Sequence, residues 1–270
     1  MKFYHLSSTG LVVIPQFLSN EEVALLYDEY HTQEETDNKN YSYKNISQST
    51  AAIIHKKIEQ ALQLIKKQTL LDIDLIVPGG IYINNQLVNF PWHQDHESFY
   101  SLQQHSNYLN FYIPILKEYP DKSGLHVIPF DKIKEYIPQY LSKIKNNGAT
   151  RYDTTNSEMT SVYNDETGEE YTIPFNISNL CLAPRLLAGD LLVMRGDIIH
   201  RTQDTETNRI SVSFRATQGN ALISKERLLS GCAIKQDFIK KNSNQYEGFL
   251  KTFEKLGKDT ITARELFGNI

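Results

Sequence analysis

His93 and Asp95 stand one residue apart in His93-Gln94-Asp95, His200 lies further along the chain, and Arg209 follows it in Arg209-Ile210-Ser211. Two imidazoles and one carboxylate form the facial set that holds Fe(II) while leaving coordination positions open, and an arginine close by can pair bidentately with the carboxylate of a cosubstrate. With 8 His and 32 Asp plus Glu in 270 residues, about one His-x-Asp/Glu tripeptide is expected by chance. Taken alone, such a tripeptide is more often a surface pair in a loop, and its weight here comes from its surroundings.

The apolar-aromatic run Phe90-Pro91-Trp92 leads into the first pair, and a strand pattern follows at Tyr108-Leu109-Asn110-Phe111-Tyr112-Ile113-Pro114. Before the second histidine, Gly189-Asp190 reads as a turn, Leu191-Leu192-Val193-Met194 as a buried strand, and Gly196-Asp197 as another turn. Both histidines therefore belong at strand ends. Further strands are expected at about Leu71–Val77, Gly80–Asn84, Leu125–Ile128, Leu180–Ala183 and Arg209–Thr217.

Helices precede these strands. Ser19-Asn20-Glu21-Glu22 is a capping box that opens a helix through about Tyr30, with Val23, Leu26, Tyr27 and Tyr30 as its inner face. After a polar loop at Thr32–Asn45, the apolar positions Ile54, Ile58, Ala61, Leu62 and Ile65 recur at helical spacing, which gives this second helix a packing role. Asp131–Lys145 reads as a helix interrupted near Pro138, and helical patches recur at Lys225–Leu229 and Phe249–Leu256. Asn146–Asn176 is polar and lacks sustained periodicity, so we expect a mobile insertion near the mouth of the fold.

A chain of 270 residues with 40% hydrophobic content can bury one large core. We expect a single domain over 1–270: a helical cover at about 19–68, a β core at about 71–217 interrupted by the polar insertion at about 146–176, and a helical segment at about 221–270. The net charge of −4 speaks against nucleic acid or an anionic membrane as partner. No apolar run approaches the roughly 20 residues that span a bilayer. Two cysteines, Cys181 and Cys232, and a start without a signal-peptide pattern make the cytoplasm the expected location. Oligomeric state is not legible.

Trp92-His93-Gln94-Asp95, Tyr112-Ile113-Pro114, the segment Ser123-Gly124-Leu125-His126-Val127-Ile128-Pro129, and Gly189-Asp190 leading to His200 together resemble the phytanoyl-CoA dioxygenase family. The opening Gly10–Ser19 followed by Glu21-Glu22-Val23 is similar to that family's first strand and helix, so the resemblance runs from about Gly10 to Thr217. It implies a mainly β fold, a double-stranded β-helix (a cupin-like jelly roll) with flanking α-helices, and a dioxygenase using Fe(II), O2 and 2-oxoglutarate. By the same resemblance His93, Asp95 and His200 are the catalytic metal ligands, and Arg209, supplemented by Ser211, binds the far carboxylate of 2-oxoglutarate. Family members commonly place that arginine further beyond the distal histidine. Because Arg209, Ser211, Ser213 and Arg215 share one face of a strand, Arg209 and Arg215 both remain candidates. A further departure is Pro129-Phe130-Asp131, where family members usually carry Gly-Ser-His after the proline.

The implied reaction is hydroxylation of a small or medium-sized polar metabolite, with 2-oxoglutarate converted to succinate and CO2. Asp95 favours hydroxylation over halogenation, since halogenating relatives replace that carboxylate by a small residue. Acyl-CoA as substrate would call for a basic surface, and only Lys56-Lys57 and Lys66-Lys67 offer one. The alternative is a cupin-like protein that binds metal or sugar without oxidising it. Of the other polar residues, His96 and His105 read as pocket rim, His126 as a core histidine, and Arg185, Arg195 and Arg201 as solvated charges. Tyr82, Phe99, Tyr100 and Asn110 read as pocket lining.

Overall fold

Residues that alternate along β-strands sort onto two faces, and in this chain the sorting produces two sheets that face each other across a cavity. The computed structural model describes residues 5–34, 36–38, 41–84, 89–103 and 108–268; His105 lies outside them. In chain order the elements begin with α1 (His5–Ser8), β1 (Leu11–Ile14), α2 (Asn20–Thr32), β2 (Thr36–Asn38), β3 (Tyr41–Asn45), α3 (Gln48–Gln68), β4 (Leu75–Ile76), β5 (Ile81–Asn84) and α4 (Glu97–Leu102). There follow β6 (Tyr108–Lys117), β7 (Leu125–Ile128), α5 (Phe130–Tyr136), α6 (Leu141–Ile144), β8 (Thr150–Asp153), β9 (Thr160–Asn164), β10 (Glu170–Ile173), β11 (Leu191–Arg195), β12 (Ile199–Thr202) and β13 (Arg209–Thr217). The C-terminal part holds β14 (Leu222–Ser224), α7 (Lys225–Leu229), α8 (Ala233–Lys241), α9 (Ser243–Leu256), β15 (Thr260–Thr262) and α10 (Ala263–Phe267).

The larger sheet runs β1-β11-β6-β13-β5-β3-β2, with β4 also paired to β13. Leu109, Phe111, Ile113, Val193, Val212 and Phe214 turn one face of it toward α2 and α3, where they pack on Leu26, Ile54, Ile58 and Ile65. The capping box forms as expected, Ser19 accepting from the Glu22 amide and Glu22 from the Ser19 amide. Tyr27, expected on the inner face, is instead exposed.

The second sheet is assembled around His93. β12 pairs with β7, β8 with β9, and β9 with β10, all antiparallel. His93 bridges His200 on one side and Arg151 on the other, while Leu182 bridges Val127 beyond β7. The architecture is a double-stranded β-helix with flanking helices, as expected.

Readings of three further segments need correction. The loop expected at Thr32–Asn45 contains β3, which extends the larger sheet by pairing Lys44 with Tyr82 and Asn45 with Ile81. The insertion expected at Asn146–Asn176 contains the β8-β9-β10 meander, whose Tyr152, Val162 and Ile173 are buried with Trp92 and Ile199. Its buried alternate positions include Thr150, Thr160 and Asn164, so no apolar alternation marks it as a sheet. Finally, β6 runs past Pro114 to Lys117, because a bulge opposite Ile210 and Ser211 accommodates the proline in the strand.

Candidate metal centre

The Trp92–Asp95 segment is clamped by backbone hydrogen bonds from both neighbours. His93 and His200 each donate an amide N–H to the other's carbonyl at 2.9 Å, Gln94 donates to the Thr150 carbonyl at 2.8 Å, and Tyr152 donates to the Trp92 carbonyl at 3.0 Å. Period-two alternation then turns His93 and Asp95 into the cavity and Gln94 away from it. Gln94 is fully buried: its Nε2 donates to the carbonyls of Ile144 (2.8 Å) and Asp197 (2.6 Å), and its Oε1 accepts from the Tyr152 hydroxyl (3.0 Å). Asp197 in turn pairs with Arg195 at 2.6 Å. Arg195 is therefore a buried structural cation that pins the turn before β12, where a solvated charge was expected.

Both histidines use the same orienting device. His93 Nδ1 lies 2.7 Å from the Pro91 carbonyl and His200 Nδ1 3.1 Å from the Ile198 carbonyl. A carbonyl only accepts, so each Nδ1 carries a proton and each Nε2 is the ring atom turned toward the cavity. Those Nε2 atoms stand 3.8 Å and 3.4 Å from Asp95 Oδ1 for His93 and His200 respectively, and the three ligand atoms all lie within 4.8 Å of one another. Burial, followed by the neighbouring His200, pushes His93 down to about 3, so its imidazole is neutral. Burial pushes Asp95 up, but His200, Arg215 and His93 together outweigh it and hold the carboxyl below its ordinary value.

The other carboxylate oxygen of Asp95 is occupied. Asn110 Nδ2 donates to Oδ2 at 2.8 Å, the Tyr108 hydroxyl donates at 3.4 Å, and Arg215 Nε stands 3.9 Å away. Arg215 thus attends the aspartate. Arg209 lies six residues earlier on the same face of β13, buried, with Nη1 donating to the Tyr112 hydroxyl at 2.6 Å. Between them Ser211 faces the same cavity, and its hydroxyl donates to the Ile83 carbonyl at 3.4 Å.

The cavity has a volume of about 790 Å³. His96, Tyr100 and Asn110 line it as expected. Tyr82 does not: it is buried toward the helices, its hydroxyl donating to Glu29 at 3.1 Å. Phe99 packs on Tyr100 and Ala149 instead. His126 and Arg201 are half-buried on the outer face of the second sheet, with Arg201 donating to His126 Nδ1 and lying 4.8 Å over the Trp92 ring. Arg185 is solvated, paired to exposed Asp121.

The cavity also takes residues that the sequence did not suggest. Asp165, nearly buried, accepts from Arg151 Nε (2.5 Å) and Nη2 (2.9 Å) and pairs with His96 Nε2 (3.0 Å). Ile234 and Phe238 of α8 close the apolar side. Neither group has a motif, because the contacts join segments distant along the chain.

No family model matches the sequence, and no curated protein matches it. Solved structures match the fold. The epimerase SnoN from nogalamycin biosynthesis, in complex with Fe3+, α-ketoglutarate and nogalamycin RO, is 14% identical, with 80% of this chain and 82% of that chain covered at a TM-score of 0.53. HygX from Streptomyces hygroscopicus, with nickel, 2-oxoglutarate and hygromycin B bound, is 12% identical, with 80% and 86% covered at a TM-score of 0.51. At these identities the likeness is one of fold.

Proposed function

We propose that this chain is an Fe(II)- and 2-oxoglutarate-dependent oxygenase that hydroxylates a small or medium-sized polar metabolite. The observation that carries this reading is the convergence of two imidazole Nε2 atoms and one carboxylate oxygen on a cavity whose adjoining strand face presents Arg209. The donor set suits the metal: two imidazoles with their Nε2 atoms turned inward and one carboxylate, with the remaining positions left open. His93, Asp95 and His200 would hold iron. When bound, iron supplies the oxygen chemistry: 2-oxoglutarate, O2 and a substrate C–H become succinate, CO2 and C–OH, one oxygen atom entering succinate and the other the product.

The chain's own side chains account for the positioning. Asn110, Tyr108 and Arg215 fix the second oxygen of Asp95, which leaves Oδ1 to the metal. Arg209 and Ser211 stand on the face that would take the far carboxylate of 2-oxoglutarate, and the engagement of Arg215 with Asp95 favours Arg209 as the clamp. His96, Arg151 and Asp165 offer polar contacts to a metabolite, and Ile234 and Phe238 cover its apolar part. Nogalamycin RO and hygromycin B, bound in the two neighbours, are small molecules of that general kind.

The resemblance to the phytanoyl-CoA dioxygenase family supports the same chemistry, although neither basic pair gathers into a patch: Lys57 pairs with Glu22 and Lys66 with Asp72. We read the chain as one domain acting in the cytoplasm, a location supported by its two unbridged cysteines. Among the described residues no helix is long and apolar enough to cross a membrane. A binding protein without oxidative activity has no use for a carboxylate clamp beside the metal, which disfavours that alternative. Anaerobic addition of 2-oxoglutarate to the Fe(II)-loaded protein should produce the weak visible charge-transfer band of the chelate. The reading is sunk if no band forms and no succinate is released in air.

A further inference from the structure

The bulge in β6 has a chemical consequence. Asn110, Tyr112 and Pro114 stand opposite Arg215, Ser213 and Ser211, so the even-numbered residues of β6 share the cavity face of β13. The register then shifts, Ile115 and Leu116 both pack toward the helices, and odd-numbered Lys117 comes to stand opposite Arg209, whose own side chain lines the cavity. Two cations thus face each other across one strand pair.

Lys117 Nζ is enclosed and has no hydrogen-bond partner among the described residues. Gly124 is what leaves room for it, since a Cβ at that position would stand 3.0 Å from Nζ and 3.2 Å from Gln203 Oε1. The charged groups around the ammonium are Arg209 on β13, Asp121 after β6 and Asp204 after β12. Burial, then the Arg209 guanidinium, pushes Lys117 down to about 8. Asp204 and Asp121 offset this only in part, since the net shift is downward, so an anion seated between the ammonium and the guanidinium would stabilise both.

We infer that Lys117 supplies, with Arg209, the second positive charge of the site for the cosubstrate's far carboxylate, making the pocket selective for a 2-oxo dicarboxylate. This rests on the cosubstrate reading above. Opposite residues of an antiparallel pair have Cβ atoms roughly 5 Å apart, within the reach of a lysine side chain. A carboxylate seated on Arg209 also stabilises the ammonium form, so binding takes up a proton when the solution is more alkaline than about pH 8.

Calorimetric binding to the Mn(II)-loaded protein tests this without turnover, comparing 2-oxoglutarate with 2-oxopentanoate, which has the same metal-binding end and no far carboxylate. In the native protein 2-oxoglutarate affinity should be flat up to about pH 8 and fall above it. Lys117→Met should weaken 2-oxoglutarate roughly ten- to hundredfold, leave 2-oxopentanoate unchanged and remove that fall. Lys117→Arg should restore affinity while keeping the profile flat, and Lys117→Gln serves as a second neutral variant, with thermal melting to confirm folding. Unchanged 2-oxoglutarate affinity and profile in the neutral variants, or equal weakening of both acids, overturns the role of Lys117 alone. Failure of the native protein to bind either acid overturns the cosubstrate reading as well.

Discussion

His93 and His200 form an antiparallel bridge pair, each donating its amide to the other's carbonyl at 2.9 Å, with ring centroids 4.3 Å apart. Each ring is also turned by a hydrogen bond to the carbonyl two residues before it. Two candidate ligands from distant parts of the chain are thereby set by one piece of sheet, and the fold alone organises the pair.

Removing one ligand should therefore cost metal affinity without unfolding the protein. His200→Ala should weaken Fe(II) or Mn(II) binding by on the order of a hundredfold or more, while circular dichroism stays native, because the bridging hydrogen bonds are backbone ones. Unchanged metal affinity in a calorimetric titration would falsify the assignment.

The two arginines of β13 should separate by what they affect. Arg209→Ala should raise the 2-oxoglutarate requirement, by an amount corresponding to about 2–3 kcal/mol of charge-assisted hydrogen bonding, with metal affinity intact. Arg215→Ala should act on metal affinity instead, since its guanidinium stands 3.9 Å from Asp95. Parallel metal and cosubstrate titrations of the two variants check this, and the opposite pattern would move the clamp to Arg215.

Gln94 offers a stability test of the same segment. Gln94→Ala strands the carbonyls of Ile144 and Asp197 and the hydroxyl of Tyr152 in a buried place. The cost should be about 2–4 kcal/mol in chemical denaturation. A loss below about 0.5 kcal/mol, the usual range for surface substitutions, would show that the network does not hold the ligand strand.

The grouping of His93, Asp95 and His200 could be read in the sequence because these residues sit near strand ends flanked by strong turn signals, such as Gly189 at a φ of +85°. What could not be read depends on parity or on partners. Lys117 stands opposite Arg209 only because Ile115 is an extra residue in β6, and Gln94 is structural only because β8 runs alongside it. Arg195 looks solvated until Asp197 folds back onto it. The β8–β10 meander escaped because buried Thr and Asn positions are satisfied by hydrogen bonds, as Thr160 is by the Phe175 carbonyl, and not by apolar contact alone.

That meander also changes the expectation of a mobile insertion near the mouth of the fold. Asn146–Asn176 is tied to the ligand strand by backbone hydrogen bonds and shares its core with Trp92. Limited proteolysis should leave it intact with or without iron, 2-oxoglutarate and substrate. Rapid cleavage there in the apo protein, slowed by ligands, would restore the mobile insertion.

The wall formed by α8 should respond to acid before the jelly roll does. Lys235 is fully buried, its ammonium donating to the Arg227 carbonyl at 2.6 Å and to Glu166 at 3.2 Å, and Arg227 pairs with the same carboxylate at 2.9 Å. Burial pushes Glu166 up, but Arg227 and Lys235 outweigh it and its pKa is lowered from the ordinary 4.5. A lowered carboxylate contributes stability that is present above its unfolded value and is lost as pH falls through the folded one. Hydrogen exchange across Ala233–Lys241 should therefore accelerate below about pH 4.5 while β6 and β13 stay protected. Glu166→Gln should produce the same loosening at neutral pH, because it leaves the Lys235 ammonium without its counter-charge. Equal protection of α8 in the variant and the native protein would show that apolar packing of Phe238 on Tyr100 and Tyr246 holds the wall by itself.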